Sequence, residues 1–68
     1  MQYVVVIEQT ETSYGAYVPD LPGCVAVAKT RDETLALIHE AIELHVAQLR
    51  SDGESVPKPT TTSELVEV

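Results

Sequence analysis

The feature that most constrains this chain is a short segment with two prolines, Pro19 and Pro22, between two apolar runs. Pro19 has no N–H to donate to a sheet, so the strand predicted at residues 15–18 must end there or lie at a sheet edge. Pro22 fixes one backbone dihedral, and Gly23 can adopt a positive φ, as a tight turn requires. The segment therefore predicts a strand, a stiff turn and a returning strand at residues 24–29.

Two more strands are predicted around this hairpin. Residues 3–8 include four successive apolar side chains, which is typical of a strand covered on both faces. The polar loop at residues 9–13 makes the first and second strands antiparallel neighbours. Beyond a linker at residues 53–63 that is rich in proline and threonine, residues 64–68 alternate well enough for a fourth strand. We expect the strand order 3-2-1-4, with the last strand parallel to the first.

One long helix is predicted between the third strand and the linker. Thr30 and Glu33 form a capping box, in which the threonine oxygen accepts the amide of Glu33 and the glutamate reaches back to the cap amide. The helix is expected over residues 31–51, with Gly53 as its terminator. Its apolar side chains form a stripe that must face the sheet: Leu35, Ile38, Ile42, Val46 and Leu49. The fold class is thus α+β, a small β-β-β-α-β domain with a mainly antiparallel sheet and one helix on one face.

The small size of the chain predicts self-association. Its 68 residues allow one domain, 1–68, whose core is too small to be stable without help. A single cysteine cannot form an intramolecular disulfide and no metal-ligand pattern is present, so oligomerisation is the remaining aid. Leu37 and Leu44 lie seven residues apart and off the core stripe, and aligned exposed leucines can mark a contact surface. We therefore expect a homo-oligomer, a dimer or a tetramer, with these two leucines at its contact.

The charge of the chain is strongly acidic. Eleven acidic residues against four basic ones give a formal net charge of −7. Such a surface repels phosphate, so direct binding of nucleic acid by this chain is not expected. It would instead attract a basic protein and speed its encounter. The alternative is that the acidic residues only keep a small protein in solution.

No catalytic constellation is evident in the sequence. His39 and His45 lie on different sides of the helix and cannot converge on one substrate. Cys24 has no histidine placed to activate it and is expected to be a small buried residue. We therefore predict no enzymatic activity, no bound metal and no cofactor. The first apolar run is too short for a secretory signal or a membrane span, and a lone cysteine fits a reducing compartment, so the cytoplasm is expected.

Four short motifs follow one another in a specific order. Gly15-x-Tyr17 precedes the run Pro-Asp-Leu-Pro-Gly-Cys at residues 19–24, then a valine–alanine strand, then Thr30-x-x-Glu33 opening the helix. In this order the chain resembles the HicB-like antitoxin family. The resemblance implies a β-β-β-α-β domain similar to a degenerate ribonuclease H fold. It also implies a partner, a small basic HicA toxin that cleaves mRNA and that the antitoxin binds and masks.

One departure from the family concerns DNA. Many members add a DNA-binding module after the last strand, whereas this chain ends at Val68 without a basic segment. Repression of its own operon by this chain is therefore not expected.

The turn and its flanking strand supply the predicted partner-binding residues. Tyr17, Asp20 and Leu21 would lie on a rigid surface that loses little entropy on binding, and Tyr14 is a further candidate. Tyr14 and Tyr17 are expected on opposite faces of the strand. The alternative is that these residues only hold the hairpin together.

Two other functions remain open. An orphan HicB-like domain would bind a different protein or only itself. A nuclease with residual ribonuclease H chemistry would need several carboxylates that converge on a divalent metal, and Glu8, Asp20 and Glu40 have no evident common site.

Overall fold

Three antiparallel strands followed by one helix form the regular structure, in a computed structural model that describes residues 1–68. The strands are β1 (Val6–Gln9), β2 (Tyr14–Tyr17) and β3 (Val25–Ala28), and the helix is α1 (Arg31–Ser51). The sheet order is β1-β2-β3, and α1 packs over β3 and β2. The predicted α+β class is confirmed, although β1 begins later than predicted. The likeness to ribonuclease H stays a prediction.

The segment with two prolines forms the predicted turn between β2 and β3. The Leu21 amide donates to the Val18 carbonyl at 3.1 Å, and the Cys24 amide donates to the Leu21 carbonyl at 3.1 Å. The Val18 amide closes the loop on the Cys24 carbonyl at 3.3 Å, and Gly23 takes a positive φ of 84°. These bonds turn Leu21 inward, where its side chain is fully buried.

The helix α1 begins and ends at the predicted residues. The Glu33 amide donates to Thr30 Oγ1 at 3.1 Å, as a capping box requires. The reciprocal bond differs from the prediction, because Glu33 Oε1 accepts from the Thr30 hydroxyl at 3.0 Å and not from the Thr30 amide. The Thr30 hydroxyl thus accepts one hydrogen bond, from the Glu33 amide, and donates another, to the Glu33 carboxylate. At the other end Gly53 has a φ of 70°, and its amide donates to the Arg50 carbonyl at 3.1 Å, which is typical of a helix terminus.

The core lies between α1 and the helix-facing side of the sheet. Its buried residues are Ala16, Val18, Leu21, Cys24, Thr34 and Ile38. The stripe predicted on α1 is confirmed, because Ile38 is buried and the other members are partly buried. The Thr34 hydroxyl lies 2.8 Å from the Thr30 carbonyl and 3.3 Å from the Tyr14 carbonyl, so this buried polar group is satisfied.

The predicted fourth strand is wrong. Residues 54–68 contain no helix or strand, and Leu65 and Val68 are exposed. All of residues 64–68 are exposed, so the alternation finds no packed surface here, and alternation alone does not make a strand. The segment is held by hydrogen bonds instead, one of them from the Tyr3 hydroxyl to the Pro57 carbonyl.

Candidate protein-interaction site

The face of the sheet that α1 leaves uncovered is apolar and exposed. On this outer face the register pairs Tyr17 with Val25 and Gly15 with Val27. Tyr17 is 42% exposed, Val25 63% and Val27 66%. Because Gly15 has no side chain, a depression of about 300 Å³ lies beside it, and Glu8 of β1 also borders this depression. Apolar area of this kind on an otherwise acidic protein makes this face a candidate contact surface.

Valine and alanine alternate along β3, and this alternation explains the outer face. The alanines Ala26 and Ala28 are partly buried and pair on the helix side of the sheet, where a small side chain lets α1 approach closely. The valines Val25 and Val27 then point the other way, because side chains alternate along a strand. Sequence reasoning did not single out these two valines, although the alternation was the signal that could have found them.

Tyr14 and Tyr17 lie on opposite faces of β2, as predicted. Tyr14 borders a separate cleft of about 430 Å³ with Ile7 and Arg31 on the helix side. A partner that docks on the outer face would therefore contact Tyr17 and not Tyr14.

Asp20 holds the C-terminal segment against the turn. Its Oδ2 accepts the amides of Thr60 at 3.2 Å and Thr61 at 3.1 Å. Its Oδ1 accepts the hydroxyls of the same residues at 3.0 Å and 2.9 Å. The hydrogen bond from the Thr61 amide, supported by the other three and opposed by partial desolvation, lowers the pKa of the Asp20 carboxyl. This carboxylate is thus engaged within the chain.

The four predicted contact residues therefore differ in what they can offer a partner. Tyr17 presents an exposed side chain on the outer face, whereas Tyr14 lies on the helix side. Asp20 is bound to the C-terminal segment, and Leu21 is fully buried beneath the turn. A role for these residues in partner binding stays a prediction.

Leu37 and Leu44 are exposed on α1 by 45% and 64% of their surface. They border a shallow cleft of about 330 Å³ whose other wall is β3, at Val25 and Ala26. Glu40 is the charged residue that lines this cleft. Helix and strand thus form one largely apolar surface at the β3 edge of the sheet.

The largest cleft lies between the N-terminal residues and α1 and has a volume of about 720 Å³. Tyr3, Val5 and Ile42 line it, and Thr61 also lies in its wall. The segment that Asp20 holds therefore forms part of this cleft.

The ionisable side chains were also compared with the requirements of a metal site. No group of three or more His, Cys, Asp or Glu side chains is placed to hold a metal ion. His39 Nδ1 lies 3.1 Å from Glu43 Oε1 on the exposed side of α1. Cys24 is separate from this pair, and burial raises the pKa of its thiol. The helix α1 also lacks the combination of length and apolarity that crossing a bilayer requires.

Comparison with protein families matches residues 3–68 to a family described as the HicB-like antitoxin of bacterial toxin–antitoxin systems. The chain is 33% identical over 69 residues to antitoxin HicB 2 of Photorhabdus laumondii, which covers 100% of this chain and 50% of that protein. It is 32% identical over 66 residues to an uncharacterized 14.9 kDa protein from the rep-hol intergenic region of Haemophilus phage HP1, which covers 97% of this chain and 50% of that relative.

A shorter relative matches over most of its own length. A UPF0150 protein of Thermoplasma acidophilum is 39% identical over 59 residues, covering 85% of this chain and 86% of the relative. The chain thus spans about half the length of the Photorhabdus and phage proteins and most of the archaeal one. No solved structure matches it.

Proposed function

The chain belongs to the HicB-like antitoxins of bacterial toxin–antitoxin systems, and on that premise we propose that it binds and masks a small basic toxin of the HicA type. Such a toxin cleaves mRNA, and the antitoxin stops it by covering the surface that binds RNA. The observation that carries the proposal is the family match over residues 3–68. The identity of 33% to antitoxin HicB 2, which extends over this whole chain, supports it.

The outer face is the proposed docking surface for the toxin. Tyr17, Val25 and Val27 supply exposed apolar area, and Glu8 supplies a negative charge at its border. Aromatic and β-branched side chains on a rigid sheet lose little conformational entropy when a partner buries them. The net charge of −7 would attract a basic protein and speed its encounter. Tyr17 is the central anchor, because tyrosine offers a large ring and a polar hydroxyl at one position.

Masking requires binding and no chemistry from this chain. The proposal is therefore that the antitoxin is not an enzyme and works without a cofactor. Because mRNA is the toxin's substrate, both proteins would act in the cytoplasm.

Self-association is the second part of the proposal. Six of the 68 residues are buried, which is a small core for an isolated monomer. A homodimer or tetramer that covers Leu37 and Leu44 would add stability of about 25 cal/mol for each Å² of apolar surface removed from water.

Co-expression with a small basic HicA-type toxin encoded in the same genome tests the toxin proposal. The expected result is that this chain relieves the growth arrest caused by that toxin and that the two proteins co-purify. If neither occurs, the antitoxin proposal fails. The chain is then an orphan HicB-like domain that binds a different protein, for which the exposed outer face would serve equally well.

Two variants test the docking surface. Tyr17→Ala removes the proposed anchor, and Gly15→Val fills the depression beside it. A Cβ at Gly15 would meet nothing within 4 Å, so the fold is expected to accept valine there. Both variants should keep the wild-type circular dichroism spectrum and lose co-purification with the toxin. Leu65→Ala, at a fully exposed position after the helix, is the control that should bind normally. Normal toxin binding by both variants would show that the toxin docks on another surface. The proposal that the chain binds a toxin would not be affected.

A further inference from the structure

The strand β3 is an edge strand with unpaired hydrogen-bonding groups. The Val18 amide donates to the Cys24 carbonyl, so residues 18 and 24 form a hydrogen-bonded pair. Along the β2–β3 register, hydrogen-bonded and non-hydrogen-bonded pairs then alternate from this pair onward. In an antiparallel pair, every second residue turns its N–H and C=O away from the partner strand. In β3 these residues are Val25 and Val27, so the edge offers two donors and two acceptors to another strand.

This edge is complementary to itself. If two copies are related by a two-fold axis that passes through Ala26, Val25 of each copy lies opposite Val27 of the other. Each of these pairs would exchange two N–H···O=C bonds, as directly opposed residues do in an antiparallel sheet. None of the residues Val25–Ala28 is charged, so the edge lacks the charged side chains that protect many natural edges from pairing.

The amount of exposed surface is consistent with a missing partner. A compact monomer of 7.4 kDa has about 4,200 Å² of accessible surface by the usual scaling with mass. This chain has 5322 Å². The excess of about 1,100 Å², to which the exposed C-terminal residues contribute, is of the order of the 800 Å² that each partner buries in a standard interface.

Charge opposes the approach of a second copy less at this edge than at the acidic parts of the surface. Two molecules with a net charge of −7 repel each other wherever their acidic residues meet. Of the eleven acidic residues, Glu40 is the one that lines the cleft between β3 and the two exposed leucines. The β3 edge is therefore a surface on which two copies can meet with little repulsion.

We propose that β3 pairs antiparallel with β3 of a second copy, about a two-fold axis at Ala26, to form a continuous six-stranded sheet. Because α1 lies over β3 and β2, the two helices run side by side within the usual packing distance of about 8–10 Å. Leu37 and Leu44 of each copy fill the space between them. The proposal names the interface of the self-association proposed above and rests on it. It also joins the two outer faces, so that both copies of Tyr17 border one toxin-binding surface.

Cysteine substitution tests the axis. In Ala26→Cys the two new thiols face each other across the axis, where directly opposed residues have Cα atoms about 4.5–5.5 Å apart. Mild oxidation should therefore give a covalent dimer. Val25→Cys is the matched control, because residue 25 is more exposed but its two copies are diagonal neighbours at about 7–8 Å, beyond easy bridging. Wild-type protein, whose Cys24 is buried, should not cross-link.

Proline substitution tests the edge. The amide of Val27 points away from β2, so Val27→Pro removes no hydrogen bond within the chain but prevents pairing with a second copy. Gln9→Pro is the control at the opposite edge, because the Gln9 amide also points away from the sheet. Light scattering should show that the Val27→Pro protein is a monomer and the Gln9→Pro protein a dimer. Circular dichroism should show that both variants are folded.

Three results would overturn this interface. They are a dimer that Val27→Pro leaves intact, cross-linking of Val25→Cys as fast as of Ala26→Cys, and a wild-type particle of 7.4 kDa at micromolar concentration. The last would overturn self-association as well. Relief of growth arrest by the wild type reports on the toxin proposal separately, so the two can fail independently.

Discussion

The carboxylate of Asp20 accepts two hydrogen bonds from Thr61, one from its amide at 3.1 Å and one from its hydroxyl at 2.9 Å. The two residues are 41 positions apart in the chain. Thr60 makes the same two kinds of contact with this carboxylate. The C-terminal segment is thus attached to the turn between β2 and β3 without being part of the sheet.

Asp20→Ala should release this segment and leave the rest of the domain folded. All four hydrogen bonds to Thr60 and Thr61 depend on the one carboxylate. We expect faster amide hydrogen exchange at Thr60 and Thr61, with exchange in β2 and α1 unchanged. Glu11→Ala, in the exposed β1–β2 loop, removes the same charge and is the control. Unchanged exchange at Thr60 and Thr61 would show that other contacts hold the segment.

The contribution of Asp20 to stability should disappear in acid. Folding lowers the pKa of its carboxyl, so the ionised form is favoured in the folded state and the contribution is complete at neutral pH. It is lost as the pH falls below the ordinary aspartate value of about 3.9 and on through the lowered one. The difference in melting temperature between wild type and Asp20→Ala should therefore vanish at the acid end of a pH series. A difference that persists there would contradict an electrostatic role.

Leu21→Ala should unfold a large share of the protein. The Leu21 side chain is fully buried beneath the turn, and truncating a buried leucine costs about 2–5 kcal/mol. That is comparable to the whole stability of a domain this small, at about 0.05–0.15 kcal/mol per residue. Leu65→Ala makes the same chemical change at a fully exposed position and should leave urea unfolding unchanged. A folded Leu21→Ala protein that fails only to bind the toxin would restore Leu21 as a contact residue.

Thr30→Ala should lower the melting temperature at equal protein concentration. The substitution removes the oxygen that accepts the Glu33 amide, and loss of such a cap costs about 0.5–2 kcal/mol. For a domain of this size, each kcal/mol shifts the melting temperature by about 4–8 °C. Thr62→Ala, at an exposed position after the helix, is the control. Equal melting curves for the two variants would mean that the cap contributes little.

Association with the toxin should slow as salt is added. The net charge of −7 steers a basic partner from a distance, and the Debye length falls from about 10 Å at 0.1 M salt to about 3 Å at 1 M. Stopped-flow measurements should show a falling association rate constant and a dissociation rate constant that changes much less. An association rate that does not depend on salt would rule out electrostatic steering.

The elements that sequence predicts correctly are those with local causes. Pro19 and Gly23 define the turn through their own backbone restrictions, and Thr30 and Gly53 set the ends of α1 through contacts within a few residues. These determinants are visible in short stretches of sequence, so the hairpin and the helix could be predicted.

The features that the sequence did not predict depend on contacts between distant parts of the chain. The fourth strand was predicted from the alternation of residues 64–68 alone, and these residues lie exposed outside the sheet. The four hydrogen bonds of Asp20 depend on the path of a segment that has no hydrophobic pattern to fix it. Leu21 lies in the turn but is buried in the core that includes Ile38 of α1, a contact that the turn's own sequence does not reveal.

The buried hydroxyl of Thr34 favours one position of the helix along the sheet. Apolar packing has little directional preference, and a helix that slid by one turn would still bury an isoleucine, because Ile42 follows Ile38 by four residues. The hydrogen bond from Thr34 to the Tyr14 carbonyl can form in only one of these positions. In any other, the hydroxyl would keep only its bond to the Thr30 carbonyl within the helix. A single methyl-sized hydroxyl thus makes one alignment of helix and sheet distinct from several that bury nearly the same area.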